Sequence, residues 1–224
     1  AASAPTANTA TNALPMRLFE LLKHPTMLRI LPTTVFFSGG FVALQSLWVG
    51  PWFTDVLGLS TSQAAQALLY FNAALLVAYL VMSFASPKLE KMGFNLARQT
   101  RFGFIWFVSC MALILLWRTE SAWWAWLILA PGVPAVILMQ TQTALMFPKA
   151  IAGRVLTTFN LVMFTGAFAV QWGVGLLADG FIGLGSDRET GLWLSFAVLL
   201  VFQLASLWWF FYKKLLPAGH TQHG

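Results

Sequence analysis

The polar side chains set inside this sequence's long apolar runs are neutral amides and hydroxyls: Ser38, Gln45, Asn72, Gln140, Thr141, Gln142, Thr143, Asn160, Gln171 and Gln203. Groups of this kind donate and accept hydrogen bonds, but none is a base or a charged nucleophile. They can join helices to one another or line a watery path. No Asp, Glu, Lys or Arg lies in the middle of any apolar run. A charge there costs about 2.5–3.5 kcal/mol on insertion scales and marks an ion or proton pathway. Its absence argues against this segment alone being a charge-coupled pump or a voltage sensor.

Other chemistry is short of parts. The single cysteine, Cys110, lies in an apolar run, while His24, His220 and His223 lie outside the runs. No metal-ligand cluster, Glu-x-x-His pair or paired intramembrane acid is present, and no nucleophile can be matched with a base. No catalytic residue, metal or cofactor is therefore expected, and the chain is not read as an enzyme.

The elements that must position the amides are six membrane-length runs, each near the ~20 residues that a bilayer requires. They cover about Ile30–Asp55, Ser62–Phe84, the stretch between Arg101 and Arg118, Trp123–Phe147, Val155–Ala178 and Leu192–Tyr212. The runs are continuous rather than alternating, which excludes a strand barrel. The expected fold is an all-α integral membrane protein, a six-transmembrane-helix bundle.

Composition agrees. Of 224 residues, 58% are hydrophobic and 9% charged, against about 25% charged in soluble domains. The net charge of +6 divides unevenly between the two ends of the runs. Eleven of the thirteen Lys and Arg fall on the side of the termini, leaving only Arg118 and Arg188 on the other. By the positive-inside rule both termini are cytoplasmic, in a multi-pass protein of the cell membrane. The charge is thus a topogenic signal, and nucleic acid is not an expected partner.

Residues 1–29 read as a cytoplasmic linker, small and polar through Ala13, followed by an amphipathic interfacial helix over Met16–Arg29. Residues 30–216 form the transmembrane domain and 217–224 a cytoplasmic tail. A chain opening on a linker suggests that something precedes it. Within the first run, Ser38, Phe41, Gln45, Trp48 and Trp52 recur at three- and four-residue spacing, as one helix face. The fifth contains Gly166, Ala169, Gly173 and Gly175, with a small-xxx-small pair at Ala169 and Gly173, a set suited to close approach of a neighbouring backbone. Trp123, Trp124 and Trp126 at one edge, and Trp208–Tyr212 at the other, suit interfacial aromatic belts.

Helix breakers are placed unevenly. The first run holds Pro32, Gly39-Gly40 and Gly50-Pro51; the fourth holds Pro131-Gly132 and Pro134. The second, third and sixth contain no proline. In transporters built from a 3+3 inverted repeat, interrupted helices occupy corresponding positions beside the substrate site. The first and fourth runs are equivalent in such a repeat.

Three loop motifs sharpen this reading. Leu89-Glu90-Lys91-Met92-Gly93 is similar to the acid-base-x-Gly loop of the major facilitator superfamily (MFS), with Lys91 where Arg is usual, and Asn95 replacing the usual basic ending. Phe147 to Arg154, followed by Asn160, is similar to the entry of that superfamily's eleventh helix. Leu47 to Trp52, with Asp55 to Ser60, is similar to the end of the seventh helix in bacterial members. The chain resembles the C-terminal six-helix half of an MFS transporter.

The resemblance implies alternating access, with runs one, two, four and five around a central cavity and runs three and six outside it, peripheral and lipid-facing. The implied cavity residues are Gln45, Asn72, Gln140 and Asn160, with Trp48 and Phe41 as aromatic contacts. Glu90, Lys91, Gly93 and Arg154 would form gating loops. The implied partners are membrane lipid, a missing N-terminal six-helix half and a small-molecule solute, in a bacterial inner membrane. A non-transporting interaction or sensory module, or a homodimeric half-transporter, uses the same spans and stands as the alternative.

Overall fold

The computed structural model describes residues 18–212, so the linker at Ala1–Ala13 and the tail at 217–224 lie outside the described residues. Among those described there is no strand. Six helices are long and apolar enough to cross a membrane: α1 (Pro25–Val56), α2 (Thr61–Lys91), α3 (Leu96–Leu116), α4 (Glu120–Leu145), α5 (Lys149–Gly183) and α6 (Arg188–Tyr212). Each matches one apolar run, so the six-helix membrane bundle is the fold.

The entry differs from the expected single amphipathic helix. A short helix covers Leu18–Lys23 and stops at His24. Extended at ψ 135°, His24 accepts the Thr26 backbone N–H on its side chain and caps a new helix with Pro25 in the first turn. Pro is favoured at that position because its missing N–H is not required there. Residues 25–29 are therefore continuous with α1 and separate from the helix at Leu18–Lys23.

The other late boundary is at the end of α2, which runs past Phe84 to Lys91 and includes Pro87. Glu90 and Lys91 thus sit in a last helical turn, not in a loop. Gly93 closes it at φ +85°, its N–H donating to the Glu90 carbonyl at 3.0 Å, while Phe94 N–H donates to Leu89 at 2.9 Å. This is the paired bonding of a Schellman motif. Asn95, the departure from the family pattern, caps α3 by accepting the Arg98 backbone N–H at 3.0 Å. An added Cβ at Gly93 meets nothing within 4 Å, so Gly93→Ala carries only the left-handed backbone penalty. We expect a loss of about 1 kcal/mol in denaturant unfolding of the detergent-solubilised protein.

α1 and α4 are the interrupted helices. In α1, wide π turns at Thr34–Gly39, Leu44–Trp48 and Trp52–Val56 alternate with α-helical turns. In α4, a 3₁₀ segment at Ala130–Gly132 precedes Pro134 and divides the helix at mid-span. Backbone groups released this way inside a membrane need new partners, and neighbouring helices supply them. Pro32 has no N–H to give the Leu28 carbonyl, which accepts the Trp209 indole N–H at 3.3 Å. In the first π turn the Gly40 N–H reaches back to Val35, and the Phe36 carbonyl accepts Gln203 Nε2 at 3.1 Å. Beside the α4 break, Ile128 accepts the Trp106 indole N–H at 2.7 Å.

The two interrupted helices occupy the centre. α5 and α6 pack on α1, α3 packs on α4, and α3 also meets α6. Close crossings are made by glycine: Gly39 of α1 lies against the Gly166–Ala167 backbone of α5, and Gly103 of α3 against Ala135 and Gly132 of α4. Of the four small residues noted in α5, Ala169 and Gly173 do not make the close crossing. Gly173 has nothing within 4 Å of its Cβ position, and both residues line a shallow apolar groove between α5 and α6. Gly166 and Gly175 make the contacts instead, against Val35 and Trp48.

Within these six helices the burial is unequal. The apolar windows of α3 and α6 are 56% and 39% buried, against 17% for α2 and 28% for α5. The reason is packing: polar and small residues of α3 and α6 are spent on α1, α4 and α5. Gln203 is fully buried, Thr33 donates to the Ser206 carbonyl at 3.2 Å, and Gly191 lies against the Ala178 carbonyl. α2 and α5 carry the open surface.

Candidate functional site

On the open side of the bundle the four candidate amides meet in two pairs. Gln45 of α1 donates through Nε2 to Asn72 Oδ1 of α2 at 2.9 Å. Gln140 of α4 donates through Nε2 to Asn160 Oδ1 of α5 at 3.1 Å. Asn72 anchors itself by donating Nδ2 to the Leu68 carbonyl at 2.8 Å. If α1–α3 and α4–α6 are read as repeats, the pairs occupy corresponding helices, first with second in each. In both, a glutamine on the interrupted helix bonds an asparagine on the exposed one. Both asparagines are exposed and both glutamines half-buried, so each pair keeps free donor and acceptor positions.

The aromatic candidates divide differently. Phe41 is only 5% exposed, wedged edge-on against Phe71 and Phe107. It packs in the core of the six-helix unit. Trp48 is half-buried and donates its indole N–H to the Gln171 carbonyl of α5 at 3.0 Å, so it braces α1 against α5. The single-face stripe through Ser38, Phe41, Gln45, Trp48 and Trp52 is not preserved. Ser38, Phe41 and Trp52 are buried, Gln45 turns to α2 and Trp48 to α5. Each π turn holds more residues than an α turn, so the three-and-four spacing drifts around the axis.

The polar run in α4 fans out as four consecutive helical residues must. Gln140 reaches α5, Gln142 donates to the Thr100 hydroxyl of α3 at 2.6 Å, and Thr143 bonds its own helix at Met139. Thr141 lines an open cavity of about 650 Å³ between α2 and α4. Tyr79, Ser83, Ser86 and Glu90 line its α2 wall. Sequence reasoning passed over Tyr79 and Ser83 and read Glu90 only as a gating residue, although the four, spaced by four, three and four residues, form a helical polar stripe.

The gating candidates are surface residues. Glu90, Lys91, Gly93 and Arg154 are all exposed. Glu90 and Arg154 lie on the exposed helices α2 and α5. The Arg98 guanidinium donates to the Gly93 carbonyl at 3.2 Å, and Gln99 bridges the Ser86 and Phe94 carbonyls, so the α2–α3 turn is tied to α3.

At the opposite end, Arg188 meets Asp55 at 2.7 Å and Arg118 meets Glu189 at 3.3 Å, linking α6 to α1 and to α3. Thr190 hydrogen bonds, from its side chain and its backbone N–H, hold the Asp187 carboxyl below the usual carboxylate range. Trp126, expected in an aromatic belt, is 1% exposed among Trp52, Phe53, Phe71 and Phe196. Trp208 and Tyr212 are exposed and stacked, as a belt requires.

Among the described residues, no group of three His, Cys, Asp or Glu side chains is placed to hold a metal ion. No protein-family model, curated protein or solved structure matches the chain.

Proposed function

We propose that this chain is the C-terminal six-helix half of a secondary transporter of the major facilitator type, moving a small solute by alternating access. The observation that carries the reading is the pair of amide bridges, Gln45–Asn72 and Gln140–Asn160, in corresponding positions of the two three-helix units. Interrupted helices in the same two positions support it, as does the open surface on α2 and α5. Amides facing a bilayer directly lose hydrogen-bonding capacity, so this face suits a second six-helix unit and a watery path between them.

In this reading the amide pairs are the solute's hydrogen-bonding partners. They open and re-form as the two halves rock, while the tied α2–α3 turn moves as one body with α3. Glu90 and Arg154, at the terminal-side ends of the exposed helices, make contacts that differ between the two access states. Charge coupling, where it exists, uses groups of the companion half.

Uptake into proteoliposomes by the complete transporter tests this. Gln45→Ala and Gln140→Ala are each expected to lower uptake at least about tenfold. Their fold stability should fall by no more than about 0.6 kcal/mol, the average worth of an interhelical membrane hydrogen bond. Wild-type uptake from both variants would sink the site assignment. Full uptake by this chain reconstituted alone would instead favour the homodimeric half-transporter, in which a second copy covers the α2 and α5 face.

A further inference from the structure

At the end of the bundle that carries both chain termini, α1, α3 and α6 bring two arginines together. Arg29 of α1 is 4% exposed, donates Nε to the Phe210 carbonyl at 2.7 Å, and lies 4.7 Å above the Phe210 ring. Its Nη1 is buried and has no hydrogen-bond partner. The Thr26 hydroxyl, one turn earlier on α1, is also buried without a partner. Arg101 of α3 is exposed and sits 5.6 Å above the ring of Phe211. The Phe210 and Phe211 rings are themselves 5.6 Å apart, so the two guanidinium groups are carried on neighbouring rings at the end of α6.

Neither arginine forms an ion pair among the described residues. A buried guanidinium with an unsatisfied N–H is costly, and a second positive charge beside it adds repulsion. An anion bridging the two removes both costs. Phosphate is the best match, since the planar guanidinium fork pairs with two phosphate oxygens at once. The surroundings point to where that phosphate comes from. The stacked, exposed Trp208 and Tyr212 mark the depth of a membrane interface, and the sequence continues directly into Lys213 and Lys214.

We propose that Arg29 and Arg101 form a phosphate-binding site at the membrane interface, and that its occupant is the headgroup of an anionic phospholipid. Arg29 is the fixed partner, held by the Phe210 carbonyl and ring. Arg101 is the accessible one that first engages the headgroup. Occupancy ties the ends of α1, α3 and α6 together across the lipid, and it is independent of whether the protein transports a solute.

Native mass spectrometry of the full protein, released from detergent containing phosphatidylglycerol or phosphatidylcholine, tests this. The wild type is expected to retain phosphatidylglycerol about fivefold over phosphatidylcholine. Arg101→Gln should lower that retention about fivefold, the equivalent of one interfacial arginine. Arg101 is exposed, so this variant keeps its fold; Arg29→Lys, which keeps the charge without the fork, should lower retention as well. Equal retention of the two lipids, or no change in Arg101→Gln, overturns the proposal. Loss of bound lipid to an excess of inorganic phosphate overturns the lipid assignment in favour of a free anion.

Discussion

Replacing Gly39 with valine will separate α1 from α5 and destabilise the bundle by about 3 kcal/mol. A Cβ at this position lies 2.6 Å from Ala167 N, 2.7 Å from Gly166 C and 2.8 Å from Met163 O. All three are backbone atoms, so no side chain can swing away to relieve the overlap. The helix must move, and α1 is the central element on which α5 and α6 pack. Gly166→Val should behave alike, because its Cβ would lie 2.8 Å from Val35 Cα. Gly173→Val provides the contrast: its Cβ position has nothing within 4 Å, and the change should cost less than about 0.5 kcal/mol. Thermal unfolding in detergent, followed by circular dichroism, separates the three. Equal melting of all of them would show that the α1–α5 crossing is not held by close glycine contact.

Trp52 is the second sensitive position. It is fully buried, stacked 4.6 Å from Phe196 and edge-on to Trp126 at 6.4 Å, which ties the far end of α1 to α6 and α4. Trp52→Ala leaves a large cavity between three helices and is expected to cost about 3–5 kcal/mol. Trp52→Phe should lose less than half of that. It keeps a ring on Phe196 and removes an indole N–H that is buried without an acceptor, a group whose burial is itself unfavourable. Denaturant titration of the two variants measures the difference. Equal destabilisation would mean that ring stacking contributes little and that indole size alone holds the site.

Much of the candidate site was legible as residue types and little of it as geometry. Gln45, Asn72, Gln140 and Asn160 stand out in the sequence because an amide within an apolar run is conspicuous. That Gln45 bonds Asn72 and Gln140 bonds Asn160 depends on the rotation and depth of four helices, which spacing along one helix does not encode. The burial of Phe41 was illegible for a related reason. Projection at 100° per residue assumes a uniform helix, and α1 contains three π turns. Trp126 looked like a belt residue because it lies two residues from Trp124, and only the packing of α1, α2 and α6 shows it to be enclosed.

The six spans and the two interrupted helices follow from the sequence alone. Membrane burial demands long apolar runs, and proline removes a helical N–H wherever it stands. Those are local requirements, met one segment at a time. The partners of the released carbonyls, the glycine crossings, the exposure of α2 and α5, and the seating of Arg29 beside Arg101 are not local. Each depends on side chains more than a hundred residues apart in some cases, as with Arg29 and the Phe210 carbonyl. In lipid the apolar surfaces of the helices are nearly interchangeable, so close packing and a few buried polar contacts choose which faces meet. Those choices exist only once the helices are assembled.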